Sequence, residues 1–182
     1  LPCFDGVVHM FESGLRRSAM REIMTVVIPP ASDMVQRSKE TPRISKDALG
    51  VPKGATLSGT FGNLYKIDNP AYQASLYGIL KAQPLHHHLI AGGGDDRGIR
   101  TFIEEKGVAE RVHLLGSRTD IPALLHLLDF YLASHPYPGA LSEMEAMAIA
   151  CPVISVRNDP ASHFNAGAEI VGLPECIIDP GD

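Results

Sequence analysis

The chain has 182 residues, 45% of them hydrophobic and 20% charged, with a formal net charge of −5. That is enough for one packed domain, or one domain with an appendage. The acidic balance and the lack of a basic stripe argue against a nucleic-acid partner. No apolar run approaches the ~20 residues that cross a bilayer. The first residues carry neither a basic lead nor a continuous apolar run, so no signal peptide is read there. Cys3, Cys151 and Cys176 are far apart and odd in number. They suit a reducing, cytoplasmic compartment and form neither a disulfide framework nor a CxxC metal site. The chain starts at Leu1 and ends on Pro-Gly-Asp without a closing element, which reads as a piece of something longer.

In chain order, the segment from Asp5 to Phe11 predicts a strand, Leu15 to Ile23 a helix, and Thr25 to Ile28 a second strand stopped by Pro29 and Pro30. Residues 31–54 are polar and predict a linker with a short helix near Ser45–Leu49. From residue 55 the pattern changes. Strands are expected at 56–61, 86–91, 111–115, 129–133 and 152–156, with a weaker one at 176–178. Helices are expected near 70–82, 96–107, 120–127, 141–150 and 160–171. Tyr72, Leu76, Ile79 and Leu80 form a helical apolar stripe. Short buried strands alternating with helices imply a Rossmann-like α/β domain, a parallel sheet with helices on both faces. Ligands of such sheets bind beyond the carboxyl ends of the strands. Candidate site residues are therefore sought in the loops at 62–69, 92–96, 116–120, 134–141 and 157–160.

Three loops hold candidates. In the first, a β-rich run empties into the turn at Gly62 and Asn63, Lys66 follows, and Asp68 and Asn69 are expected to cap a helix begun by Pro70. A strand, a glycine turn and a helix N-terminus make a seat for an anion, and a lysine beside it neutralises phosphate charge. In the second, Ser142 and Glu145 have the spacing of a capping box. Either they only cap, or the main chain of Gly139, Leu141 and Ser142 faces a phosphate while Glu145 accepts from ribose hydroxyls. In the third, Gly116, Ser117 and Arg118 follow a strand. Arg118 is read there as facing solvent, with Thr119 or Asp120 as a helix cap. Gly92 to Gly94 make a weaker phosphate cradle. Of His86, His87 and His88, only the first and third can converge from a strand, so no metal site is read. His135 is the histidine best placed at a strand's carboxyl end.

The stretch Asn63-Leu-Tyr-Lys-Ile-Asp68 resembles the Asn-x-Leu-Tyr-Lys-Ile-Asp-Pro segment of O-linked N-acetylglucosamine transferases and SPINDLY-type glycosyltransferases. The resemblance covers roughly residues 45–182. It implies the C-terminal, donor-binding half of a GT-B glycosyltransferase, with residues 1–44 as the hinge and the end of an N-terminal domain. It implies a UDP-sugar donor, no metal cofactor, inversion at the anomeric carbon, and GlcNAc or a hexose passed to a protein acceptor bound through the other half. By resemblance Lys66 is the catalytic phosphate contact, with the donor seated among Gly62, Asn63, Gly116, Ser117, Arg118, Gly139, Leu141, Ser142 and Glu145. On that reading the isolated chain binds donor and turns nothing over. Measured back from Pro152, the Asp of the family's Gly-His-Thr-Thr-Gly-x-Asp segment falls on Glu145 and one Thr on Ser142, while Ala140 and Leu141 replace its His and other Thr.

Two rival readings stand beside this one. The run Glu145-Ala-Met-Ala is similar to the donor helix of retaining GT-B enzymes acting on glycans or lipids, although their second Glu falls on Tyr137. The departures at Tyr137, Ala140 and Leu141 also fit a binding module that kept the fold without activity.

Overall fold

In the computed structural model the described residues are 33–157, 171 and 174–179, with the backbone of two short strands near the N-terminus. Those strands, β1 (Gly6–His9) and β2 (Met24–Val27), pair in parallel as a small sheet of their own. The helix expected at Leu15–Ile23, and that at 160–171 apart from Val171, lie outside the described residues.

The main sheet has six parallel strands. They are β3 (Thr56–Phe61), β4 (His86–Ala91), β5 (Val112–Leu114), β6 (Phe130–Leu132), β7 (Val153–Val156) and β8 (Ile177–Ile178). Each lies where the sequence predicts a strand. The helices are α1 (Met34–Glu40), α2 (Pro70–Ala82), α3 (Arg97–Lys106), α4 (Ile121–Leu125) and α5 (Leu141–Ala148). None of the helices among the described residues is long and apolar enough to cross a membrane.

Sheet residues alternate between two cores, as the two-residue strand period requires. Leu57, Leu89, Tyr131 and Val153 meet Met34, Leu124, Leu125 and Ala146 from α1, α4 and α5. Ile90, Val112 and Leu132 meet Tyr72, Leu76, Leu80, Ile99 and Phe102 from α2 and α3. Burying each large side chain contributes roughly 1.5–3 kcal/mol.

α1 departs from the expected linker. Its sequence is almost wholly polar, so it shows no apolar stripe; only Met34 is buried, with no exposed surface at all. Side-chain bonds hold the rest, including Ser38 Oγ to His126 Nε2 at 2.6 Å.

The strand order β5-β4-β3-β6-β7-β8 reverses between β3 and β6. The chain winds outward from β3 through β4 to β5, then returns to the other side of β3 as β6. Loops leaving the carboxyl ends of β3 and β6 therefore diverge and open a crevice, the usual binding place in a doubly wound sheet.

Candidate functional site

The crevice is built from two loops. Phe61 ends β3, and the buried Tyr131 hydroxyl of β6 pins it, donating to Phe61 O at 3.0 Å and accepting from Phe61 N at 3.1 Å. Gly62 then turns with φ 137°, a conformation that favours glycine. Asn63 Oδ1 accepts from Tyr65 N at 3.2 Å and starts a single 3-10 turn over Leu64–Lys66. Asn69 alone caps α2, accepting from Tyr72 N at 3.0 Å. Its amide donates to Lys66 O at 2.9 Å and to His135 O at 3.1 Å, tying the two loops together. Asp68, expected as a second cap, instead accepts from Gln73 Nε2 at 3.4 Å.

Lys66 crosses the crevice. Its Nζ donates to Pro138 O at 3.2 Å, in the loop that leads into α5. An ammonium has three N–H donors, and Pro138 takes one. The positive end of the α5 dipole lies beside it.

The start of α5 departs from the expected capping box. The helix begins at Leu141, so Ser142 lies inside its first turn, and the N-cap position falls to Ala140 without a side-chain cap. Ala140 has φ 51° and ψ −73°, close to a strained γ-turn centre. Glu143 sits at the third helical position, from which a glutamate reaches back over the helix start. Its Oε1 accepts from Gly139 N at 3.0 Å. Its side chain is fully buried, and Oε2 has no hydrogen-bond partner. Burial pushes the Glu143 carboxyl up to about 7, against the Gly139 and Ala140 amides and the Lys66 ammonium, which favour its ionised form.

A cavity of about 310 Å³ opens next to the β3 turn, lined among others by Leu64, Gly92, Gly93, Gly94, Gly116 and Ser117. Gly92 is there because β3 and β4 end side by side: a Cβ on it would lie 1.6 Å from Gly62 O. Glu145 Oε1 lies 3.8 Å from the Arg37 guanidinium of α1, and Arg37 also donates to Thr119 O at 3.4 Å. Arg118 makes a two-pronged bond to Asp120 at 2.8 and 2.7 Å. That bond raises the Arg118 pKa and lowers that of Asp120.

The family described as "Glycosyl transferases group 1" matches residues 57–182. The chain belongs to that family. The lipopolysaccharide core biosynthesis mannosyltransferase LpsB of Rhizobium meliloti is 25% identical over 138 residues, covering 71% of this chain and 39% of that protein. The chain thus spans about two fifths of that curated relative. HepE of Anabaena, solved in complex with UDP-glucose, superposes with a TM-score of 0.71 at 22% identity, over 98% of this chain and 50% of its own. A Thermobaculum terrenum O-GlcNAc transferase mutant superposes with a TM-score of 0.65 at 22% identity, over 96% of this chain and 35% of its own. A glycosyltransferase from Rickettsia africae reaches 0.75 at 14% identity, over 98% of this chain and 50% of its own. These likenesses establish the GT-B Rossmann-like fold and single out no one transferase.

For a group 1 glycosyltransferase domain, the residues expected from sequence fall into separate sets. Gly62, Lys66, Gly139 and Ser142 converge on the crevice; a Cβ built on Gly62 would lie 3.8 Å from Ser142 Oγ. Asn63 and Leu141 stand at its rim, both exposed. Gly116 and Ser117 line the neighbouring cavity with the glycines of residues 92–94. Arg118 is held by Asp120, and neither Thr119 nor Asp120 caps α4 through its side chain. His135 turns away: its ring lies against Ser75 Oγ at 3.1 Å, under α2. Glu143 and Arg37 were not foreseen. A glutamate three positions into a helix is a visible signal for the first; the second lay in a stretch read as linker.

Proposed function

We propose that this domain holds the nucleoside diphosphate of a UDP-sugar, as the donor half of a GT-B glycosyltransferase. The observation that carries the reading is the Lys66 ammonium spanning the switch point to Pro138 O, beside the N-terminus of α5. When the glycosidic bond breaks, negative charge develops on the leaving diphosphate. A fixed cation and a helix N-terminus stabilise that charge without having to reorganise. Charge neutralisation of this kind needs no metal. Gly62 lets the main chain approach the phosphates, Glu145 takes the ribose, and the loop through Gly116 and Ser117 passes the base. HepE, with the same fold, is described in complex with UDP-glucose, which supports a UDP-sugar here.

The wording around Lys66 supports inverting transfer of GlcNAc or a hexose to protein. A second reading is retaining transfer to a glycan or lipid: the run Glu145-Ala-Met-Ala supports retention, and LpsB, a mannosyltransferase of lipopolysaccharide core biosynthesis, supports the acceptor class. The anomer formed by the full-length enzyme separates the two. Because the chain spans 35–50% of the solved relatives named above, the acceptor side is assigned to the other half, and residues 1–182 alone bind donor without turnover.

Titration of UDP against the protein and its Lys66→Ala variant tests the donor site. Loss of roughly tenfold or more in affinity is expected for a charge-assisted phosphate contact. Equal affinities would remove Lys66 from the reading.

A further inference from the structure

Glu143 places a carboxylate where the proposed function requires room for a diphosphate. Its Oε1 already occupies the Gly139 amide, one of the donors at the mouth of the anion seat. The Lys66 ammonium acts on it through space. An ionised Glu143 therefore competes with an incoming phosphate for the Lys66 ammonium. It also repels that phosphate, and the burial of the carboxyl strengthens the repulsion.

The bonding of the carboxyl shows how the conflict is relieved. Oε1 is engaged and Oε2 has no partner. One proton on Oε2 removes the charge, gives that oxygen an O–H to donate, and leaves the bond from Gly139 in place. No rearrangement of the loop is needed. A second anion beside a buried carboxyl always favours its neutral form.

We propose, resting on the donor-site reading above, that Glu143 is a proton-coupled gate: a nucleoside diphosphate binds together with one proton, which Glu143 takes up. The groups facing Glu143 leave it as the one that titrates. Lys66 approaches from the loop after β3 and Tyr131 from β6. Burial raises the Tyr131 phenol far above neutrality, so it stays uncharged. On the same helix, the charge of Glu145 is matched by Arg37 from α1. The free carboxyl titrates near neutrality, so the coupling is felt at physiological pH.

The test measures UDP affinity from pH 6 to pH 8.5 for the protein and for Glu143→Gln. Glutamine keeps the shape and the bond from Gly139 but carries no charge and takes up no proton. Comparing the two proteins at each pH cancels the titration of UDP itself. The expected result is near-equal affinity at pH 6 and a variant roughly tenfold tighter at pH 8, since each pH unit above the carboxyl's midpoint weakens the wild type about tenfold. A second measurement needs no variant. Calorimetry of the wild type at pH 8, in two buffers of different ionisation enthalpy, should show close to one proton taken up per UDP. Parallel pH curves for two UDP-binding proteins, or no proton uptake at pH 8, overturn the gate and leave the donor site standing. Absence of UDP binding by both proteins at every pH overturns the donor site and the gate with it.

Discussion

Arg37 and Glu145, 108 positions apart in sequence, form an ion pair at 3.8 Å, and Arg37 also holds Thr119 O at 3.4 Å. A residue from a polar N-terminal stretch thus links the proposed ribose ligand to the proposed base loop. The Arg37 side chain is 37% exposed and that of Glu145 16%. A pair this open contributes little to stability, about 1 kcal/mol at most. Its expected effect lies in binding. Arg37→Ala should weaken UDP several-fold with little change in Tm. Glu145→Ala should abolish the preference for UDP over 2′-deoxy-UDP, and in that background Arg37→Ala should cost less than it does alone, leaving only the share carried by Thr119 O. Fully additive losses in the double variant would show that the two residues act separately.

Gly92→Ala is expected to be among the most damaging single-methyl changes in the domain. The added Cβ would lie 1.6 Å from Gly62 O, and the obstacle is backbone, which cannot swing aside. Forcing β3 and β4 apart at their carboxyl ends should cost roughly 1–3 kcal/mol and displace the glycine turn. Denaturant unfolding measures the first effect and UDP titration the second. An alanine variant with wild-type stability would contradict the close approach of these two loops.

The polar stripe of β3 supplies a third prediction. Thr56, Ser58 and Thr60 face α2, where His86, His88 and Tyr72 satisfy them. Leu132 O can only accept, and Thr60 Oγ1 donates to it at 2.6 Å. The direction then propagates. Tyr72 donates to Thr60, His88 Nε2–H to Tyr72, Ser58 to His88 Nδ1, His86 Nε2–H to Ser58 and Thr56 to His86 Nδ1. Both imidazoles are thus neutral Nε2–H tautomers. Burial lowers His86 to about 4 and His88 to about 3. An unfolded chain protonates both near 6.5, so their folded pKa values are depressed. Their contribution is complete above pH 6.5 and is lost as pH falls from there towards 4 and then 3. Denaturant midpoints should fall steadily below pH 6.5, and nitrogen NMR should show no protonation of either ring at pH 5. A ring titrating near 6.5 in the folded state would break the chain of donors. Tyr72→Phe strips two of these groups of a partner and should cost about 1–3 kcal/mol.

Chelation offers a fourth check. With Lys66 and α5 neutralising the diphosphate, UDP affinity in excess EDTA should equal that with added magnesium. A rise of tenfold or more with magnesium would assign that work to a metal.

The sequence alone determined the alternation of strands and helices, because buried β runs and amphipathic helices carry their periods in the residues themselves. β3 lies where its β-rich run places it, β4 where Leu89, Ile90 and Ala91 follow the three histidines, and α2 follows from Asn69, Pro70 and a clear stripe. The loop carrying Lys66 was legible for the same local reason: a glycine turn, a lysine and a cap stand side by side. α1 was not legible, since its polar surface shows no stripe and its single buried side chain, Met34, finds its place only against α4 and α5.

Only the tertiary structure decided which loops share the crevice. Strand order is set by pairing between segments far apart in sequence, and no local pattern records it. The return of β6 to the side of β3 brings Lys66 to Pro138. The same arrangement buries Glu143 behind the Gly139 amide, where desolvation outweighs the nearby amides and ammonium and makes an ordinary glutamate titrate near neutrality. Its type and helical position were readable from the chain, but its burial depends on everything packed around it.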